Sequence, residues 1–346
     1  MVLAVGGAWA LGLIFDPHWR PGMTPLVYAA GLRALGAIAA VLVAGWVLAR
    51  GRDRLAPIER HAPEVFGALG NVMLVSWCGI ESGHVASACV DPNPNVNRMP
   101  PPLGLSVMER REALGMSLRA AVWASHALVI GWLGVRGGRG FLRACAYAVG
   151  LMALVVMAVW PGPCNGWYDQ PPIVHVTALL QLAAVVVAFV LAAMLAAHRE
   201  RLASLEANAA EAVSAFAAIA LAIWGGREAG HLARAVLGIL PGSGVPAGSD
   251  ALTRLPTLGA TFTSGAWLIE AVGLLVVGWL RGSAFLRWCG LALLGITLVK
   301  FIALDLQTVD VFWRFLTAIA VGAAMLALSY AYQRRQRGSA PRGRAE

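Results

Sequence analysis

The sequence predicts an all-α protein that crosses a membrane about ten times. Of its 346 residues, 59% are hydrophobic and only 13% are charged, which lies outside the range of ordinary soluble domains. The apolar residues fall into runs of about 20, the length that a helix needs to span the hydrocarbon core. The alternating pattern of a membrane β-barrel is absent from the sequence. Because lipid offers no hydrogen-bond partner to the backbone, these runs are predicted to be helices.

Ten apolar segments account for most of the chain. The first is short, but it lacks the basic start and the cleavage site of a signal peptide, so we interpret it as a span. Proline-rich and glycine-rich loops follow the third and the seventh segments, where a helix is expected to stop. In chain order the segments are residues 1–15, 24–49, 65–84, 113–135, 141–160, 173–197, 209–230, 261–280, 284–304 and 311–332.

The basic residues orient these spans. The chain has 27 basic residues, of which only Lys300 is a lysine, and a net charge of +9. Arginines concentrate in alternate loops, at residues 50–60, 136–143, 199–201 and 281–287, and in the tail. The positive-inside rule places these loops and both termini in the cytoplasm. We therefore expect membrane lipids, with an acidic phospholipid surface, to be the partner of the arginines, and no nucleic acid.

A short pattern occurs twice and indicates an internal repeat. Each copy closes an apolar run with a tryptophan, a glutamate, a glycine and a histidine. These residues are Trp77, Glu81, Gly83 and His84, then Trp224, Glu228, Gly230 and His231. A copy holds four spans, so both copies face the same way, as in parallel-repeat transporters. The predicted division is a two-helix remnant at residues 1–60, repeats at 61–205 and 206–334, and a basic tail at 335–346.

Most of the chain resembles a known family, and the resemblance is most specific in its C-terminal part, from Trp267 to Arg334. This part carries the residues Leu286, Arg287, Gly290, Leu291, Lys300, Phe301, Leu304, Asp305, Arg314, Phe315 and Leu316, and it closes with Ser329, Tyr330, Ala331, Tyr332, Gln333 and Arg334. This stretch is similar to the bacterial predicted membrane proteins of the domain of unknown function 2339. The resemblance implies a multi-pass protein of the bacterial inner membrane. It implies no particular activity.

Charged side chains inside the predicted spans are the candidates for a functional site. An ionised group at the bilayer centre costs roughly 2.5–3.5 kcal/mol on insertion scales, so it needs a partner or a polar cavity. Nearly all of these groups lie in the outer half of their spans. We therefore predict an outward-facing polar cavity shared by the two copies. Its candidate residues are Glu81, His84, Arg119, His126, Glu228, His231, Glu270, Lys300, Asp305 and Arg314.

The two Glu-x-x-His pairs leave three interpretations open. Residues three apart share a helix face, so each pair can simply be hydrogen-bonded at a helix end, which Gly83 and Gly230 suggest. Glu-x-x-His from two helices is also the ligand pattern of di-metal bundles, with Glu270, and Glu112 as a second bridging carboxylate. The third interpretation is a proton relay. We expect no cofactor.

Two further pairs are predicted from position. Glu270 corresponds to His126 in the other copy, so this acid and this imidazole are expected to face each other across the repeat axis. Cys89 and Cys164 both fall in loops placed outside, where a disulfide can persist, and they are the candidate disulfide.

Three hypotheses cover the function. The first is an uncharacterised membrane protein whose cavity binds or transports a small or lipid-linked substrate. The second is a membrane-embedded enzyme acting on envelope glycan or lipid, with the Glu and His residues as acid and base groups. The third is a non-catalytic scaffold. Motifs for phosphate binding, serine hydrolysis and zinc proteolysis are absent from the sequence, so it does not decide whether the protein is an enzyme.

Overall fold

Eight long helices make up the described part of the chain. A computed structural model describes residues 25–26, 29–54, 57–90, 103–159, 171–206, 208–239 and 250–303, together with residue 319. The helices are α1 (Ala29–Arg50), α2 (Ala62–Val90), α3 (Leu103–Arg136), α4 (Gly140–Val159), α5 (Val176–Ala197), α6 (Ala209–Val236), α7 (Asp250–Leu280) and α8 (Ala284–Ala303). Short 3-10 turns connect α1 to α2 and α5 to α6.

All eight helices are long and apolar enough to cross a membrane. No strand occurs in the described residues. The predicted all-α, multi-pass class is therefore confirmed. The first predicted span at residues 1–15 lies outside the described residues, as does the tenth at 311–332 apart from residue 319. The total of ten spans and the cytoplasmic location of the termini stay predictions.

The predicted helix ends were wrong at three places. Gly83 does not end α2, which continues to Val90, and Gly230 does not end α6, which continues to Val236. A glycine inside a helix costs only about 1 kcal/mol relative to alanine, which packing offsets. The helix α7 begins at Asp250 and includes Pro256, in a segment predicted to be a loop. Pro256 is the seventh residue of this helix and so removes one of its backbone hydrogen bonds, a loss that the following turns of this long helix offset.

Consecutive helices pack against each other, and α3 is central to the bundle. It contacts α2, α4 and α5, while α6 packs on α5 and α7 packs on α8. The largest buried cluster combines alanines with branched side chains, including Ala127 on α3, Ala153 on α4 and Leu191 on α5. Small residues let helix backbones approach closely, which is how membrane helices associate without a hydrophobic drive between them.

Two glycines mark close contacts at equivalent helix ends. At Gly134 an added Cβ would lie 2.9 Å from the backbone nitrogen of Arg143, and at Gly278 it would lie 2.9 Å from the backbone nitrogen of Arg287. The two glycines are 144 residues apart in the sequence, and so are the two arginines that they contact. Each contact joins the end of one helix to the start of the next, so a side chain at either glycine would push the helix pair apart.

The buried Arg143 joins α4 to the connection between α5 and α6. Its Nη2 lies 2.8 Å from Glu206 Oε2, its Nε donates to the same carboxylate, and its Nη1 donates to Gly134 O at 3.3 Å. Burial by itself raises the pKa of Glu206. The hydrogen bonds from Arg143 and the Ala203 N–H, together with the arginine charge, outweigh that effect and lower the pKa. The ionised carboxylate therefore stabilises the fold.

The two glycine environments give a matched test of packing. We expect Gly134→Ala to lower the free energy of unfolding by about 1–3 kcal/mol, because backbone must move to admit the methyl group. Gly83→Ala serves as the control, since nothing lies within 4 Å of its added Cβ, and it should be neutral or stabilise by up to about 1 kcal/mol. Thermal unfolding in detergent measures both. Equal melting temperatures for the two variants would contradict the close contact at Gly134.

The Arg143–Glu206 pair gives a pH prediction. Because the folded pKa of Glu206 is lowered, the stabilisation is present above the unfolded pKa and is lost as the pH falls through the folded pKa. We expect wild type to be more stable than Glu206→Gln at pH 7 by about 2 kcal/mol. The difference should shrink as the pH falls below about 4. Melting curves of both proteins from pH 3 to 8 measure this, and a constant difference would contradict the assignment.

Candidate functional site

Three buried side chains converge where α5 begins against α6. His175 directly precedes α5, and Glu228 and His231 are one turn apart on α6. Their exposed fractions are 7%, 7% and 2%. The His175 Nε2 lies 3.2 Å from Glu228 Oε1, and the His231 Nδ1 lies 3.9 Å from Glu228 Oε2. One nitrogen or oxygen from each residue lies within 4.8 Å of the others.

A proline turn holds Glu228 from the other side. Ile173 follows Pro172 and has a φ of 69°, which is a rare conformation for a β-branched residue. Its N–H donates to Glu228 Oε2 at 2.8 Å. The carboxylate therefore accepts one hydrogen bond at each oxygen, one from the backbone and one from an imidazole. These bonds offset the cost of placing a carboxylate within a membrane span.

The surroundings of His175 assign its proton. Its Nδ1 accepts the Ala178 N–H at 3.2 Å, as the N-cap of α5, and lies 2.6 Å from Thr177 Oγ1. A neutral imidazole that accepts at Nδ1 carries its proton on Nε2. We infer from these bonds that Nε2–H donates to Glu228. The imidazole thus connects the first turn of α5 to α6.

The other Glu/His pair has the same backbone contact. The Leu26 N–H donates to Glu81 Oε2 at 3.1 Å, and Leu26 has a φ of 70°. In both contacts donor and acceptor are 55 residues apart. The His84 Nδ1 lies 3.4 Å from Glu81 Oε1. Both acids therefore hold a turn that precedes a helix, α1 or α5.

Two tryptophans also make equivalent contacts. The Trp123 indole N–H donates to Val75 O at 2.9 Å, and the Trp267 indole N–H donates to Ala222 O at 2.8 Å. The first bond joins α3 to α2, and the second joins α7 to α6. The two tryptophan donors are 144 residues apart, and the two carbonyl acceptors are 147 residues apart. The second spacing is the same as that between Glu81 and Glu228.

Other predicted site residues lie in separate contacts. Arg119 donates twice to Gly79 O. The Lys300 ammonium donates to Ala260 O and to the Ser264 hydroxyl. Neither side chain belongs to the cluster at Glu228. Asp305 and Arg314 lie outside the described residues.

The predicted pair of Glu270 and His126 was wrong. His126 Nε2 lies 3.1 Å from Asn71 Oδ1 instead. The Glu270 Oε1 is buried and has no hydrogen-bond partner among the described residues. Glu112, considered as a bridging carboxylate, is exposed. Helix position alone does not determine which neighbouring helix a side chain faces, and this is why the pairing failed.

A largely apolar cavity of about 200 Å³ lies between α3, α4, α5 and α6. Ala127, Tyr147, Leu191 and Phe216 are among its lining residues, which include none of the predicted cavity residues. The predicted outward-facing polar cavity stays a prediction. Cys89 is exposed and has no disulfide partner among the described residues. Cys164 lies outside them, so the disulfide also stays a prediction.

Comparison with known proteins decides the family. The model of the predicted membrane protein family DUF2339 matches residues 1–335. The chain belongs to this family. The resemblance is thereby confirmed and extends over nearly the whole chain. No curated protein and no solved structure matches this DUF2339 chain significantly, so the residues themselves must carry the argument about function.

His175 is not among the candidate residues predicted from the sequence. A signal was present in this DUF2339 protein. Pro172 and Ile173 stand 147 residues after Pro25 and Leu26, the same spacing as the two glutamates. That match extends the repeat pattern to the start of α5. It would have predicted that the turn before α5 faces α6.

Removing the carboxylate at Glu228 should destabilise the protein. We expect Glu228→Ala to lower the free energy of unfolding by about 1–3 kcal/mol, because the Ile173 N–H and the His175 N–H lose their acceptor in a buried place.

Glu64 offers a control, since its ion pair with Arg52 is exposed and contributes at most about 1 kcal/mol. Thermal unfolding in detergent compares Glu228→Ala with Glu64→Ala. A Glu228→Ala protein as stable as wild type would show that the carboxylate does not hold the turn.

Proposed function

We propose that the protein holds a small substrate at the outer ends of its helices, and that this substrate is a divalent transition-metal ion such as Zn²⁺. The observation that carries the proposal is the convergence of His175, Glu228 and His231, three buried side chains of the types that bind zinc. Two imidazoles and a carboxylate are a ligand set with intermediate softness, which favours zinc over calcium or magnesium.

The ligand spacing supports this choice. Zinc binds histidine nitrogen and carboxylate oxygen at about 2.0–2.2 Å, so neighbouring ligand atoms in a tetrahedral site lie roughly 3.3 Å apart. The His175 Nε2 and Glu228 Oε1 are 3.2 Å apart, and the His231 Nδ1 is 3.9 Å from Glu228 Oε2. One ligand atom of each residue lies within 4.8 Å of the others, so side-chain shifts of at most about 1.5 Å bring the three atoms to that spacing.

Groups around the ligands also fit an ion. A metal-bound histidine donates its other N–H to a neighbouring acceptor. At His175 that acceptor is the Thr177 hydroxyl, 2.6 Å from Nδ1. Coordination at Nε2 requires the imidazole proton to move from Nε2 to Nδ1, so the Ala178 N–H loses its acceptor there, and protonation of the imidazole competes with metal binding. The Ile173 N–H continues to hold the second carboxylate oxygen.

The charge balance favours a cation. A single carboxylate faces two histidines within a candidate membrane span, Ala209–Val236. With both imidazoles neutral the cluster carries the charge of one carboxylate, which attracts a cation, and a bound divalent ion leaves a single net positive charge. The arginine-rich loops lie at the opposite helix ends, and the positive-inside rule then places the cluster towards the outside.

The metal site is proposed for one of two parallel units. The matching contacts at Glu81 and Glu228 support two four-helix units, one formed by α1 to α4 and the other by α5 to α8. Each unit begins earlier in the chain than the repeat predicted from the sequence, which starts at residue 61 or 206. The residue 147 positions before His175 is Tyr28. The unit of Glu81 and His84 therefore lacks the second histidine, and we propose that it is structural.

A catalytic role is the second candidate. Two histidines and one carboxylate leave a fourth zinc position open, which is where catalytic zinc sites activate water. A zinc-bound cluster near the outer surface would then hydrolyse envelope glycan or lipid. The transport hypothesis instead predicts zinc flux across proteoliposomes that contain the protein, measured with an enclosed zinc-sensitive dye.

Metal binding is tested directly on the purified protein. We expect wild type in detergent to hold one equivalent of Zn²⁺ after equilibrium dialysis. His231→Ala and Glu228→Gln should weaken binding at least 10-fold, because each removes one of three ligands. Metal analysis of the dialysed samples and competition with a zinc-binding dye measure stoichiometry and affinity.

The other unit supplies the matched controls. Glu81→Gln and His84→Ala should bind zinc as wild type does, since they change the corresponding residues without touching the cluster. Loss of zinc in all four variants would point to a general loss of structure, which melting curves of the same samples reveal. A wild-type protein that retains no zinc would overturn the proposal and favour the scaffold hypothesis.

A further inference from the structure

A second site lies at the opposite end of α5, far from the metal cluster. A cavity of about 250 Å³ opens where α3 and α5 end, and it is lined by Trp132, Val135, Arg136, His198 and Arg201. We call these five residues the basic groove. Because α5 has 22 residues, its two ends are about 33 Å apart. The groove is therefore independent of the proposed function.

The two arginines of the basic groove have no acidic partner among the described residues. Neither Arg136 nor Arg201 forms a salt bridge within the described residues, and the Arg136 guanidinium lies 5.2 Å from the centre of the Trp132 ring. Nearby arginines are paired: Arg143 binds Glu206 at 2.8 Å, and Arg199 lies 3.8 Å from Glu211. The groove thus holds positive charge beside two arginines, Arg143 and Arg199, whose charge is compensated.

An apolar surface leads from the basic groove into the bilayer. Val129, Trp132 and Leu133 are exposed on one face of α3, within two turns of Arg136. On α5, Val186 and Val190 are exposed two to three turns before His198. A ligand seated in the groove would therefore have a charged end near the arginines and apolar chains along these helices.

We propose that the basic groove binds the phosphate group of an anionic phospholipid, with the acyl chains along α3 and α5. Guanidinium groups bind phosphate through two parallel hydrogen bonds, and this geometry distinguishes arginine from lysine. His198 donates its Nδ1–H to Met194 O, so its ring is held beside the site. Trp132 has the position of an interfacial tryptophan, at the depth where a lipid phosphate lies.

A soluble anion fits these observations less well. A free phosphate would use the arginines but not the exposed apolar faces that adjoin them. The arginine distribution predicts that this end faces the cytoplasm, whose leaflet carries anionic lipid. The charge and the apolar surface therefore both favour a lipid as the occupant.

The test titrates the purified full chain in detergent with phosphatidylglycerol and measures the affinity of the first bound lipid by native mass spectrometry. An arginine near an anionic lipid surface contributes about 5-fold in affinity. We expect the double variant Arg136→Gln, Arg201→Gln to bind roughly 25-fold more weakly than wild type. Phosphatidylcholine should lose less affinity in the variant than phosphatidylglycerol does, because its choline cation offsets the charge of its phosphate.

A charge-matched control removes two other arginines at the same end. The double variant Arg139→Gln, Arg281→Gln loses the same net charge at exposed turns outside the groove and should keep its affinity within 2- to 3-fold of wild type. An equal loss in both double variants would overturn the specific site in favour of general surface charge. Displacement of the lipid by millimolar inorganic phosphate would show a free-anion site and would also overturn the proposal.

Replacement by lysine keeps the test informative if the glutamine variants do not fold. Arg136→Lys, Arg201→Lys retains the charge and loses the paired hydrogen bonds. We expect it to bind phosphatidylglycerol more weakly than wild type but more tightly than the glutamine variant. Wild-type affinity in the lysine variant would contradict recognition by the guanidinium groups.

Discussion

The bond between a buried carboxylate and a backbone N–H is the interaction on which the arrangement of this protein depends. Glu81 holds the Leu26 N–H and Glu228 holds the Ile173 N–H, each from a residue with positive φ. A carboxylate and a turn inside the membrane region both need hydrogen-bond partners, because lipid supplies none. The carboxylate accepts the hydrogen bond that the turn donates. This bond fixes the helix that follows the turn against the helix that carries the glutamate. His175 reaches Glu228 only because the Ile173 turn places it there.

Close backbone contact is the second constraint, and it acts at the other end of the helices. Gly134 admits the start of α4, and the Arg143 side chain then reaches across to Glu206. An arginine that is 4% exposed would be costly if it were unpaired. Here three acceptors surround it, so the pair fixes the turn between α5 and α6. The helices are thus held by polar bonds at both ends and by small apolar residues between them.

The two ends differ in the chemistry they offer to a ligand. Towards the predicted outer side, a carboxylate and two imidazoles lie buried together, and this set suits a cation. At the other side, two guanidinium groups that form no salt bridge in the described part of the chain lie at Trp132 and suit an anion with an apolar body. Both sites involve α5, which begins next to His175 and ends next to His198. The same helix therefore presents opposite chemistry to the two surfaces of the membrane.

The sequence by itself determined the all-α class and eight long apolar helices, because hydropathy is a property of local segments, and its 147-residue spacing singled out the two Glu/His pairs. It did not determine that α2 and α6 continue past their glycines, that His126 faces Asn71, or that His175 completes the cluster with Glu228. Those contacts join residues 53 to 55 positions apart. They depend on how each helix rotates against its neighbour and on the positive φ of one residue, which only the tertiary structure decided.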